Sequence, residues 1–285
     1  MIQCDLPGLT ITNEPGQTVP YLSDTNWYDA AEVVIDADDR PYGEGSFDVD
    51  IPQIRPRYFD VVIDLVDPGD GSAVWALHDV AMSLTELVDP FDVTFTDPAR
   101  GPLSSVGVRV AGKVTFPIED EDGVASVTIP LKARDPKRYG PLVVPTPKTG
   151  LPTGGGGVGY PITYPLDFGV PGNPGTIVLA NTGNAAVVPD FQITGGLSGG
   201  FDLLAQETSA HKRFERLIPS DSVVTLRQSE GRAFIDGDND VTRDLTYDEP
   251  IVVPPKSFVT VQFNAIGVAT GTPTLTAINM RPAHR

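Results

Sequence analysis

The sequence predicts an all-β chain with a single α-helix, divided into two β domains. Three observations support this. Short runs of β-branched or alternating residues recur along the whole chain, separated by turn residues. Gly 29 and Pro 28 amount to a fifth of the sequence with no repeat period, which is a turn-rich composition rather than a disordered one. The length, 285 residues, is more than one small sandwich needs and suggests two domains.

In the first half the strand candidates are "EVVIDA" (32–37), "SFDVDI" (46–51), "YFDVVIDLV" (58–66), "FDVTFT" (91–96), "VGVRVAGKVTF" (106–116) and "VASVTIPLKA" (124–133). "SAVWALHDVAMSLTELV" (72–88) departs from the pattern. It places Val74, Leu77, Val80, Ala81, Leu84, Leu87 and Val88 at three- and four-residue spacing, and Pro90 follows. This is one apolar helix face, predicting a helix over about 74–88 laid on the sheet. In the second half "TIVLANTG" (176–183), "VPDFQITG" (188–195), "FDLLAQ" (201–206), "SVVTLRQ" (222–228), "RAFIDG" (232–237), "VTRDLTY" (241–247), "SFVTVQFNAI" (257–266) and "TLTAIN" (274–279) are short and regularly spaced. They predict a sandwich or jelly roll.

Between the halves lies "ARDPKRYGPLVVPTPKTGLPTGGGGVGYP" (133–161), with six prolines and seven glycines. Proline favours extended backbone, and four consecutive glycines make a flexible joint. The expected division is therefore a domain over 1–140, a linker over 141–161 with its hinge at Gly154, Gly155, Gly156 and Gly157, and a second domain over 162–285.

The net charge of −18 is uneven. Residues 1–140 hold 25 acidic and 10 basic side chains, whereas residues 141–285 hold 13 and 10. Free nucleic acid is a poor partner for such a chain, because affinity for it comes mainly from Lys and Arg neutralising phosphates. No apolar run is long enough to span a membrane, and the N-terminus lacks the pattern of a secretory signal. Cys4 is the only cysteine, which excludes an internal disulfide and a cysteine-built metal site.

Each chemical motif has a plainer reading. "DGDND" offers Asp236, Asp238 and Asp240 as calcium ligands, but the sixth position is Val241 instead of Gly and the twelfth is Tyr247 instead of Glu. A hairpin turn fits it better. "GGGGVG" lacks the Lys-Ser/Thr of a phosphate cradle. "GLSGG" (196–200) resembles a protease nucleophile loop, but Leu197 stands where an Asp is needed and the only upstream His is His78, in the predicted helix. Three histidines (His78, His211, His284) are too scattered for a metal triad. No matched carboxylate pair points to a glycosidase. For stacking on sugars the second half offers Tyr160, Tyr164 and Tyr247 but no Trp; Trp27 and Trp75 both lie in the first half. No catalytic constellation or cofactor site emerges, and a structural or binding protein is expected.

The order of several segments then resembles a known family. "DDRPYGEGSFDVDIPQIRPRYFDVVIDLVD" (38–67) and the closing "VTIPLKARDPKRYG" are similar to the first domain of siphophage distal tail proteins. "IVLANTGNAAVVPDFQITGG", "VTLRQSEGRAFIDGDNDVT" and "PIVVPPKSFVTVQFNAIG" follow in the order of that family's galectin-like C-terminal sandwich. The resemblance implies a tail-tube-like ring domain, an outer galectin-like or jelly-roll sandwich, and a place in the virion at the tail tip after synthesis in the host cytoplasm. It implies a homo-hexameric ring joining the major tail tube protein to the tail hub, near the tape measure protein, with DNA passing through unbound. The acidic turns Asp36, Asp38, Asp39 and Glu44, and Glu119, Asp120, Glu121 and Asp122, are then candidates for the channel wall, where they would repel DNA, or for the outer surface, where they serve solubility. The alternative is a carbohydrate-binding adhesin that contacts the host cell surface through the second domain.

Overall fold

The computed structural model describes residues 1–16, 19–34, 53–68, 71–119, 124–155 and 171–285. The chain divides into two compact units: Met1–Gly140 with His284–Arg285, and Pro141–Ala283. Among the described residues there is one α-helix, so the chain is all-β with a single helix as predicted.

The first unit runs β1 (Gln3–Leu6), β2 (Leu9–Thr12), β3 (Tyr21–Thr25), β4 (Val33–Val34), β5 (Gln53–Ile54), β6 (Arg57–Val66), α1 (Ser72–Ser83), β7 (Phe91–Asp97), β8 (Gly101–Val110), β9 (Ile118–Glu119), β10 (Val124–Ala133) and β11 (Arg138–Tyr139). The order β8-β7-β1-β2-β3-β6-β10 returns to its start, because β10 also pairs with β8 through Leu131↔Val110, Lys132↔Arg109 and Ala133↔Val108. Seven strands thus close a barrel, and closure removes the exposed edges that an open sheet would present. The β2–β3 link is parallel, through Thr12↔Tyr21; the other pairings in the ring are antiparallel.

Period-2 alternation decides which side chains fill it. In β6, Arg57, Phe59, Val61, Ile63 and Leu65 are buried while Tyr58 faces out. In β10, Ala125, Val127, Ile129, Leu131 and Ala133 are buried. Each large apolar side chain buried this way contributes about 1.5–3 kcal/mol. The helix adds Val74, Leu77 and Ala81 to the same core, followed by Leu84. The Asp67 carboxylate accepts the Ala73 N–H at 3.2 Å, satisfying one of the free donors at the start of α1.

The helix is shorter than its pattern predicts. It ends at Ser83 and passes into a 3₁₀ turn, Leu84–Glu86. Leu87 is 42% exposed and Val88 82%, so neither packs on the barrel. Pro90 cannot continue a helix and biases the residue before it towards extended backbone. The expected single strand over 106–116 also stops early, at Val110. Gly112 follows at φ 143°, where a Cβ would press on Pro130 Cγ at 3.1 Å. The expected strand at 46–51 lies outside the described residues.

The second unit holds β12 (Lys148–Gly150), β13 (Thr176–Asn181), β14 (Asp190–Thr194), β15 (Phe201–Ala205), β16 (His211–Phe214), β17 (Val223–Arg227), β18 (Arg232–Ile235), β19 (Asn239–Asp240), β20 (Leu245–Asp248), β21 (Ser257–Ala265) and β22 (Thr274–Ile278). Two sheets form, ordered β12-β22-β14-β17-β18-β19 and β13-β21-β15-β16-β20. Alternate residues of both are buried, including Phe191, Ile193, Phe201, Leu203, Phe214, Val261 and Phe263, so the unit is a β-sandwich. His284–Arg285 belong to the first unit, His284 ending the short strand β23 (Ala283–His284). Within the expected strand at 241–247, Thr242–Asp244 form a 3₁₀ turn, and the strand β20 begins only at Leu245.

The expected linker over 141–161 is corrected. Its described part, up to Gly155, belongs to the second unit, which begins at Pro141 rather than at 162. Lys148–Gly150 pairs with β22 as an edge strand, the Val143 N–H donates to Met280 O, and the Ala277 N–H to Pro147 O. Gly154 and Gly155 run against Gly172, and the Thr153 N–H donates to Asn173 O. These two glycines therefore lie inside the sandwich unit and do not hinge two units; Gly156 and Gly157 lie outside the described residues. Proline is tolerated at sheet edges, so a Pro-rich segment can fold as an edge strand without apolar alternation.

Candidate functional site

The barrel contains a polar cluster that strand alternation carries inward. Trp27, in the turn after β3, has no exposed surface; its indole stacks on Phe95 (4.3 Å, 22°) and meets Phe59 edge-on (5.1 Å, 82°). The Trp27 carbonyl oxygen accepts hydrogen bonds from both Arg57 Nη1 and Arg138 Nη1, each at 2.8 Å. The Arg57 guanidinium lies 4.4 Å from the indole centroid, and its Nη2 donates to Ser105 Oγ. Arg57 and Arg138 are 2% and 4% exposed, and among the described residues neither forms an ion pair. Burial pushes the Arg57 pKa down to about 9, with the nearby Arg138 charge adding to the effect and Asp135 opposing it. A buried charge without a carboxylate is costly, so carbonyl dipoles and the indole face carry the compensation here. The result ties the turn after β3, the start of β6, β8 and the β11 segment to one carbonyl.

The sequence reading missed this cluster; the signal that could have found Arg57 is its inward position one residue before "YFDVVIDLV", in phase with that alternation. Nothing local in "DPKRYG" marks Arg138.

The candidate residues from the sequence fall as follows. Asp236 sits in the left-handed region (φ 51°) and accepts the Val223 N–H at 2.8 Å. Asp240 accepts the Thr242 N–H (2.9 Å) and hydroxyl (2.6 Å), bonds that hold its pKa below the ordinary value. Both carboxylates are turn caps, and among the described residues no three His, Cys, Asp or Glu side chains gather to hold a metal. Asp36, Asp38, Asp39, Glu44, Asp120, Glu121 and Asp122 lie outside the described residues. The backbone of Glu119 pairs with Val124.

The "GLSGG" loop is a site of close backbone approach. Leu197 bridges both Ile218 and Ala269, and Ser198 Oγ accepts the Val268 N–H at 2.8 Å. Gly200 has φ 95°, and a Cβ there would fall on the Phe214 carbonyl oxygen. Its glycines serve packing.

Two exposed surfaces remain. On the first unit, Trp75 is 57% exposed, and His78 lies edge-on between Trp75 (5.5 Å) and Phe116 (5.1 Å). On the second unit, the outer face of the five-stranded sheet exposes Tyr247 over a row of polar side chains.

Comparison with known proteins places the architecture. No family model and no curated protein matches the sequence. Among solved structures, the chain is similar to the SPP1 Dit protein, described as a paradigm of hub adsorption apparatus in phages infecting Gram-positive hosts. The TM-score is 0.67 at 12% identity, covering 99% of both chains. A chain of the phage P2 baseplate, in its activated conformation with Ca, aligns at TM-score 0.48 and 8% identity over 97% of this chain and 98% of that one. Over nearly its whole length the chain has the fold of the SPP1 Dit protein.

Proposed function

We propose that this protein is a structural component of a phage tail tip or baseplate, located in the virion and without catalytic activity. In this reading six copies assemble through the barrel unit into a ring, and the sandwich unit faces outward. The ring joins the major tail tube protein on one side to the tail hub or tail-associated protein on the other, near the tape measure protein, and DNA passes through its opening without specific binding. The single observation that supports this most is the full-length likeness to the SPP1 Dit fold, with both units matched in one alignment. The acidic turns of the first half would present negative charge to DNA if they line the opening, keeping the path free of attachment.

Sedimentation velocity or mass photometry of the full chain tests the reading. The expected species is six times the 30.3 kDa chain, formed alone or on adding a tail tube protein. A monomer under both conditions overturns it.

A further inference from the structure

The two arginines inside the barrel bring more donors than the protein has acceptors for. Arg57 Nη1 and Arg138 Nη1 both donate to the Trp27 carbonyl oxygen, so two guanidinium groups converge on one acceptor. Arg57 Nη2 donates to Ser105 Oγ, which leaves the buried Ser105 O–H to donate elsewhere. The Nε–H groups of both arginines and the Trp27 Nε1–H are buried and meet no protein acceptor among the described residues. No carboxylate bonds to the pair either. Asp135, whose charge acts on Arg57, accepts the Tyr139 hydroxyl at 2.6 Å and the Lys137 N–H at 2.9 Å. Asp29 acts on Arg138 only through space.

We propose that the barrel encloses a small inorganic monoanion of the chloride type, bound by the Arg57 and Arg138 side chains. Buried donors in folded proteins are paired almost without exception, so three that lack a protein acceptor call for an enclosed one. Water would supply lone pairs but no charge. Two guanidinium groups on one carbonyl need negative charge to offset their mutual repulsion and their lost hydration. Burial sets the size. Arg57 and Arg138 are 2% and 4% exposed, so a phosphodiester or a carboxylate carried by another chain cannot reach both. With Asp135 and Asp29 already acting on the pair, a single negative charge is sufficient. A halide has no directional lone pairs, so it can accept from guanidinium and hydroxyl donors on different sides. The inference stands on the barrel unit alone and is independent of ring assembly.

The test uses the full chain. Calorimetric melts are run at constant sodium and ionic strength while chloride replaces gluconate, an anion too large to be enclosed. The barrel transition should rise by about 3–6 °C for each tenfold increase in chloride beyond half-saturation, and bromide should substitute for chloride. Arg138→Gln should abolish the dependence, whereas Lys113→Gln, at an exposed cation of the same unit, should keep it. Where Arg138→Gln prevents folding, crystals of the wild type grown in sodium bromide decide. An anomalous peak is expected within hydrogen-bonding reach of both guanidinium groups. A barrel transition indifferent to chloride, an Arg138→Gln protein that folds and keeps the dependence, or a water at the site with no bromide peak would each overturn the proposal.

Discussion

The two units solve the problem of a β core in different ways. The sandwich fills its interior mainly with apolar side chains, pairs Lys212, the one buried cation among its described residues, with the Asp248 carboxylate, and lets backbones meet at glycine: Gly195, Gly196 and Gly200 lie where a Cβ would strike the carbonyls of Pro219, Thr270 and Phe214. The barrel instead takes two arginines inside and balances them on one carbonyl, one hydroxyl and an indole face. The charge divides the same way: 25 acidic against 10 basic side chains in residues 1–140, but 13 against 10 in the remainder. The sandwich therefore gives its buried cation a carboxylate partner, whereas the barrel holds its two on neutral groups, a polar lock that tolerates few partners. Perturbing each device separately should affect its own unit.

The largest effect is expected from Gly200→Val. A β-branched side chain at φ 95° is strained and also collides with the Phe214 carbonyl. The cost should be about 4 kcal/mol or more, enough to lose the sandwich transition in a calorimetric scan while the barrel transition stays in place. Equal loss of both transitions would mean that the units do not melt separately.

Next, Leu84→Ala should cost the barrel unit ~2–5 kcal/mol, because Leu84 is 1% exposed. Leu87→Ala, three residues on and 42% exposed, should stay within about 0.5 kcal/mol. Denaturant midpoints followed by fluorescence of the buried Trp27 measure both. Similar losses at the two positions would restore the longer helix that the spacing predicts.

This pair also shows what the sequence can and cannot reveal. Alternation is local, so the inward faces of β6 and β10 were legible, and with them the apolar half of the barrel. The helix was legible as a stripe, but its end was set by the path towards β7, which no stripe records. β12 was hidden because "KTG" is too short to alternate and sits among prolines. β16, "HKRF", carries no apolar alternation to mark it as a strand, yet Lys212 is 3% exposed and donates to the Asp248 carboxylate across the β16–β20 pair. Tyr247 could be singled out as a ring; its stacking on His211 could not, because 36 residues separate the two. The arginine lock had half a signal, in the register of Arg57.

The smallest effect concerns pH. Burial holds the His284 pKa below its ordinary value of 6.5, and the Arg138 and Arg100 charges push in the same direction. The unfolded chain therefore binds more protons than the folded one just below pH 6.5, so the barrel unit should lose stability as pH falls through that window. His284→Gln should flatten this acid limb in a series of thermal melts. An unchanged slope would show that His284 carries none of it.

Electron cryomicroscopy of the full chain, alone and mixed with a tail tube protein, addresses the central claim most directly, because it asks which unit builds the assembly. The predicted result is a six-fold ring with the barrels around the central opening and the sandwiches at the periphery. Particles that remain single chains, or a ring closed through the sandwiches with the barrels outside, would contradict the account.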